Sequence, residues 1–120
     1  MYLQDLSLVN FKNYSQLGLE FSPKINCFTG PNGVGKTNLL DAIYYLSMCK
    51  SYLNPIDSQN IKHDQDFFVI QGNYVRKDKK EQIYCGLKRN KKKQFKRNKK
   101  EYQKLSDHIG LLPIVMISPT

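Results

Sequence analysis

No apolar run in the chain approaches the roughly 18 residues that a membrane-spanning helix requires, so no such helix is expected. The opening stretch "MYLQD" has no basic segment, apolar stretch and cleavage site in series, and no secretory signal is expected there. Cysteine is sparse. Cys27, Cys49 and Cys85 are odd in number and far apart, with no C-x-x-C pair and no His/Cys cluster. That excludes a disulfide framework and a zinc site, and leaves buried reduced thiols in a cytoplasmic protein. His63 and His108 have no catalytic companions and read as surface or capping residues. Ser51, Ser58 and Ser106 lack a neighbouring base, so a nucleophilic triad has no support. Asp5, Asp41 and Asp57 read as surface or capping acids. There is no internal repeat and no Gly/Ser linker, and 120 residues suit one domain with one core.

Apolar residues at 40% and charged residues at 24% are ordinary for a soluble protein, but the net charge of +9 is concentrated. Residues 88–104, "KRNKKKQFKRNKKEYQK", hold ten Lys/Arg and one acid, Glu101, while the rest of the chain balances nine against nine. A basic patch on a neutral body is an electrostatic footprint for a polyanion. The candidate nucleic-acid contacts are Lys88, Arg89, Lys91, Lys92, Lys93, Lys96 and Arg97, on a basic β-hairpin of about residues 82–104. Phe95 and Tyr102 lie among them, and an aromatic there can stack on a base. The plainer reading is a solvated hairpin whose charge aids solubility.

Periodicity supplies the elements. "YLQDLSLV" places Leu6 and Leu8 on one side of a strand, "NFKNYSQ" turns the chain, and "LGLEF" alternates Leu17, Leu19 and Phe21 in a second strand paired with the first. After a turn at residues 22–24, "INCFTG" reads as a buried strand. "KTNLLDAIYYLSMCK" carries Leu39, Leu40, Ile43, Leu46 and Ser47 at helical spacing without Gly or Pro, and Pro55 lies beyond its end. Residues 51–66 are polar and loop-rich. "FFVIQGNYVRK" and "EQIYCGLKR" read as strands, and "KKQFKRNKKEYQ" as one more after a turn near Asn90. "LSDHIG" resembles a short helix capped by Ser106 and stopped at Gly110, and "LPIVMIS" a terminal strand.

Between the expected third strand and the helix stands "GPNGVGKT", Gly30 to Thr37, which fits G-x-x-x-x-G-K-[ST]. Glycines let the backbone take positive φ and bring N–H groups against phosphate oxygens. Lys36 can reach the β- and γ-phosphates of a nucleotide triphosphate, and Thr37 can place its hydroxyl on Mg²⁺. The following helix aims the positive end of its dipole at the same anion. The four fixed positions match by chance in roughly 0.5% of chains this long, and the strand–loop–helix context is the one the motif needs. Hydrolysis also needs a carboxylate at a strand end to hold Mg²⁺. "FFVIQG" and "LPIVMIS" are followed by none, and Glu20 and Asp107 are poorly placed. The expectation is a fragment or first lobe that binds nucleotide and carries only part of a catalytic site.

"LSLVNFKNY", "GPNGVGKTNLLDAIYYLS" and "LSDHIGLLPIVMISPT", in that order, resemble the N-terminal part of the RecF family of recombination mediators, within the ABC-type ATPase heads that include the SMC proteins. The resemblance is close at both ends and loose between about residues 54 and 102. It implies an α/β P-loop NTPase of ABC-ATPase head type with an antiparallel β subdomain, residues 1–120 forming its N-terminal part. It implies ATP and Mg²⁺ as cofactors, held by Gly30, Pro31, Asn32, Gly33, Val34, Gly35, Lys36, Thr37 and Asn38, with Thr37 on the metal and Lys12 and Asn13 near the nucleotide. It also implies single-stranded or gapped DNA as a partner in repair and replication restart, RecR with RecO in the same pathway, and an ATP-dependent homodimer in which two heads sandwich the nucleotide. Any turnover would be slow and require that dimer.

Two positions depart from the family pattern. Lys12 stands where arginine is common, which weakens any bidentate contact. "KSYL" has Leu53 where an arginine is usual; Lys50 either compensates or is a helix C-terminal lysine favoured by the dipole. Two other readings remain open: a small-molecule P-loop kinase, against which two strands before the loop argue, and a non-enzymatic nucleic-acid-binding module with a vestigial loop.

Overall fold

Leu6 and Leu8 alternate with polar neighbours along the first strand, β1 (Tyr2–Phe11), and both are buried. The structure, a computed structural model, describes residues 2–21, 33–102, 104–105 and 108–109, without the side chains of residues 33–36 and 76. A two-residue turn at Lys12-Asn13, with Lys12 at φ 53°, returns the chain into β2 (Tyr14–Glu20), where Leu8 faces Leu17 and Phe11 faces Tyr14. β3 (Phe67–Arg76) and β4 (Lys79–Lys88) are joined by Lys77 and Asp78 at φ 46° and 67°. Two successive positive φ values mark the tight connection whose twist matches its strands. β5 (Gln94–Arg97) and β6 (Lys100–Glu101) are joined in the same way by Asn98 and Lys99, at φ 52° and 70°. Every neighbouring pair is antiparallel, and among the described residues the sheet order is β2-β1-β3-β4-β5-β6.

One helix, α1 (Gly33–Met48), covers one face of this sheet. Leu39, Ala42, Leu46 and Cys49 recur at intervals of three and four, and all are buried. Opposite them, Leu8, Ile70, Cys85 and Phe95 form one row across four strands. Phe11, Tyr45 and Phe68 meet edge-on, with ring centroids 5.3–6.3 Å apart, the arrangement aromatic quadrupoles favour. The close approach of helix to sheet depends on Gly72. A Cβ there would lie 2.7 Å from Leu46 Cδ1 and 3.1 Å from Leu3 Cδ1. The helix ends without glycine: Cys49 takes φ 61° and its N–H bonds the Tyr45 carbonyl at 2.8 Å.

Three expectations need correction. The expected single strand over residues 92–103 is two short strands, because Asn98 and Lys99 enter the left-handed region and fold it into a hairpin. The loop 51–66 contains a 3₁₀ turn, Asp57–Asn60, and Ile61 beyond it bridges to Phe11. His108 is not a surface residue but fully buried. The turn at residues 22–24, the strand of residues 25–30, the strand "LPIVMIS", Cys27, Ser106 and Gly110 lie outside the described residues. Cys49 and Cys85 are the buried free thiols expected. Burial pushes Cys49 up to about 11 and Cys85 well above its ordinary value, so both are protonated at neutral pH. Among the described residues no helix is long and apolar enough to cross a membrane.

His108 joins the end of the described chain to the helix. Its Nε2 lies 2.6 Å from the Leu46 carbonyl oxygen and its Nδ1 3.0 Å from the Tyr102 hydroxyl. A carbonyl only accepts, so Nε2 carries the proton and Nδ1 of the neutral ring accepts from Tyr102. Burial lowers the His108 pKa from 6.5, against a smaller upward pull from the Leu46 bond. A lowered folded-state value means that the unfolded chain binds the extra proton first. The stabilisation is therefore complete above pH 6.5 and is lost as pH falls through the lower folded-state value. Urea denaturation between pH 7.5 and 5 is expected to show falling stability on acidification, with a flatter dependence in His108→Gln.

Candidate nucleotide site and basic hairpin

The phosphate-loop motif runs into the start of α1. Gly30, Pro31 and Asn32 lie outside the described residues, as do the side chains of Val34 and Lys36. Gly33, Gly35 and their neighbours form the backbone of the first helical turn. An α-helix leaves its first N–H groups without partners inside the helix, so this end presents donors and a partial positive charge. Thr37 is exposed in the next position, and Asn38 is half-buried.

The β1–β2 turn is held against this end of the helix. Asn38 Nδ2 donates to Asn13 Oδ1 at 2.8 Å. Lys12 Nζ donates to Asp41 Oδ2 at 2.5 Å, with the lysine side chain 12% and the aspartate side chain 1% exposed. The Ser51 hydroxyl donates to the same oxygen, and the Tyr52 N–H donates to Asp41 Oδ1 at 2.7 Å. Ser51 is itself buried, and its Oγ accepts the N–H groups of Leu53 and Asn54. Backbone bonds from Lys12 N to Asn60 O and from Lys62 N to Asn10 O, both 2.8 Å, tie the turn to residues 60–62. Asp41 is therefore not the surface or capping acid that its type suggests. The available signal was a lone carboxylate inside the apolar run "NLLDAI", flanked in sequence by Leu39, Leu40 and Ala42, which are all buried.

Beside the turn lies a recess of about 610 Å³. It is lined by Lys12, Asn38, Asn60, Ile61, His63 and Arg89 among others. Leu53 also lines it, half-exposed. Asn60 is buried, and its Oδ1 has no partner among the described residues. The Lys12 ammonium points to Asp41, so the structure places Lys12 beside the recess as part of an ion pair.

The basic run divides into parts with different duties. Lys93 Nζ donates to the Cys49 carbonyl at 2.5 Å, pairs with Asp57 Oδ2 at 2.9 Å and lies 5.1 Å from the Tyr45 ring centroid. Its side chain is 13% exposed, and it places a cation at the C-terminal end of α1, where the dipole favours one. Arg97 pairs with Glu81 at 2.5 Å, and that bond raises its pKa. Arg89 Nε donates to the Gln65 carbonyl at 3.1 Å and borders the recess. Lys88, Lys91 and Lys92 are exposed and Lys96 is half-buried, and none of these four is in an ion pair among the described residues. Neither aromatic read as a stacking partner is available as expected. Phe95 is on the core face with 1% exposure, its ring 4.7 Å from that of His108, and Tyr102 is half-buried against both.

Comparison with known proteins gives this geometry a family. The model of the AAA domain matches residues 5–114. The DNA replication and repair protein RecF of Phocaeicola vulgatus is 66% identical over 120 residues, and RecF of Porphyromonas gingivalis is 43% identical over 121. Each match covers 99% of this chain, which spans about a third of those relatives' length, 32% and 33%. Among solved structures, the recombination mediator protein RecF-ATPrS in the RecFOR pathway superposes with TM-score 0.82 and 32% identity, over 88% of this chain and 29% of its own. The SMC head domain from Thermotoga maritima shares the fold, with TM-score 0.70 and 24% identity, over 89% of this chain and 40% of its own. The chain belongs to the AAA domain family and, by sequence and fold together, to its RecF members, with the ABC-type ATPase-head architecture that RecF shares with SMC proteins.

Proposed function

We propose that the chain is the ATP-binding part of a RecF-type protein that couples nucleotide binding to DNA binding in recombinational repair and replication restart. The observation that carries the reading is the motif Gly30 to Thr37 running into the N-terminus of α1, with a recess of about 610 Å³ beside it. A helix start of this kind cradles phosphate. Lys36 would meet the β- and γ-phosphates and Thr37 would hold Mg²⁺, which shields the phosphate charge when bound. The nucleoside would lie in the recess, next to the Asn13–Asn38 hydrogen bond. Lys12 acts as a positioning residue: its bond to Asp41 sets the height of the β1–β2 turn over the helix. The RecF structures solved with ATP and RecF-ATPrS support this assignment.

The same reading includes DNA at the basic hairpin, RecR with RecO as pathway partners, a homodimer closing the nucleotide site, and a cytoplasmic location. Kinship with proteins named for DNA replication and repair supports it over a small-molecule kinase. The exposed lysines around the β4–β5 turn support the hairpin contact, because unpaired surface cations are what phosphate neutralisation uses.

Replacing Lys36 by Ala is expected to weaken ATP binding by about 100-fold or more, since charge-assisted bonds to two phosphates are lost. Calorimetry at fixed Mg²⁺ checks this, and unchanged affinity contradicts it. For DNA, Lys91→Glu with Lys92→Glu is expected to lower affinity and to reduce the slope of log affinity against log salt by about 2. Anisotropy titrations at several salt concentrations measure both. Lys93→Glu is expected to melt the hairpin at lower temperature, because that lysine anchors it to α1.

A further inference from the structure

The sheet has a second face, turned away from α1. Register places Phe67, Val69 and Gln71 of β3 on it, opposite Lys88, Gly86 and Tyr84 of β4. Gln94 and Lys96 of β5 continue the same face, opposite Gly86 and Tyr84. Phe67 is 40% exposed on this face. Tyr84 is half-exposed, and its ring lies across Gly86: a Cβ at Gly86 would sit 2.8 Å from the Tyr84 Oη and 3.1 Å from Cε1 and Cζ. Gly86 therefore lets the ring lie down on the sheet, where the Lys96 ammonium is over it.

Two recesses flank that ring. One, of about 550 Å³, has Phe67, Tyr84 and Gly86 along its floor and Lys88, Lys91 and Lys92 around it. The other, of about 340 Å³, is bordered by Tyr84, Gln71, Lys96 and Lys99. Tyr84 is common to both, and Lys96 Nζ lies 5.5 Å from its ring centroid. None of these five lysines is in an ion pair among the described residues. Tyr84 pairs with Gln71, four positions along β3 from Phe67, so the two residues stand about 13 Å apart along the strand. Flat aromatic surfaces inside a ring of lysines complement a ligand that alternates π-faces with anionic groups. A duplex hides its base faces; a single strand offers them.

We infer that the outer face of β3, β4 and β5 is a stacking platform for single-stranded DNA, with bases on Tyr84 and Phe67 and phosphates on Lys88, Lys91, Lys92, Lys96 and Lys99. It rests on the reading that the basic hairpin meets DNA, and adds the residues that would read a single strand. The charge run is thus one side of a mixed surface, with its aromatics supplied by β3 and β4.

The test uses the protein carrying this chain and an oligodeoxythymidylate with one 2-aminopurine, whose fluorescence falls on stacking, beside a duplex of equal length. Tyr84→Ala is expected to lose roughly tenfold in single-strand affinity and most of the fluorescence quenching, with duplex affinity and salt slope unchanged. Tyr84→Phe keeps both, and Gly86→Val, which lifts the ring, behaves like Tyr84→Ala. Melting curves for each variant separate these losses from unfolding, and Phe67→Ala gives an independent reading on an exposed residue. Unchanged quenching and affinity in Tyr84→Ala and Phe67→Ala overturn the platform, even if Lys91→Glu with Lys92→Glu weakens both DNA forms. No effect of those lysine changes overturns the hairpin contact, and the platform with it.

Discussion

The arrangement around the proposed nucleotide site depends on one buried carboxylate. Asp41 sits on α1 one turn past the phosphate-loop motif, nearly sealed from solvent. An unpaired charge there would be costly, and the cost is met by three donors from two parts of the chain: the Lys12 ammonium, and the Ser51 hydroxyl with the Tyr52 N–H. Those donors belong to the β1–β2 turn and to the segment leaving the helix. Satisfying one carboxylate therefore fixes the relative positions of the sheet, the helix and the loop beyond it.

A second cation performs the matching task at the C-terminal end of α1. Lys93, from the β4–β5 turn, reaches the Cys49 carbonyl and Asp57. Two hairpins thus hold the same helix through partly buried lysines, one at Asp41 near its middle and one at its C-terminal end, while Leu46 packs against Gly72 between them. The frame ties the helix to the sheet that carries the exposed lysines.

Much of this was legible in the residues. The alternation of Leu6 and Leu8, the continuous apolar "FFVI" and the interval pattern after Lys36 each specify an element by burial alone, and each formed where expected. The division between β5 and β6 was less legible, because Asn98-Lys99 lacks the glycine that usually announces a tight turn. The phosphate loop was readable because its chemistry restricts residue type at fixed spacing. Asp41 and His108 were misread for one reason: residue type predicts exposure only until a partner distant in sequence satisfies the polar atoms. Lys12 is 29 residues from Asp41, and His108 is 62 from Leu46. The basic run was visible as charge, but a linear list cannot say which lysines turn inward or that Phe95 faces the core while Tyr84 faces out.

The most direct test of this account is a double-mutant cycle on the buried pair, read as unfolding free energy in urea. Lys12→Met leaves Asp41 charged and buried, and is expected to cost about 3–5 kcal/mol. Adding Asp41→Asn to it is expected to recover most of that loss, because the neutral amide needs no cation. A cost below about 1 kcal/mol for Lys12→Met, as for an exposed pair, or strictly additive effects of the two changes, would contradict the claim that this ion pair holds the nucleotide site together.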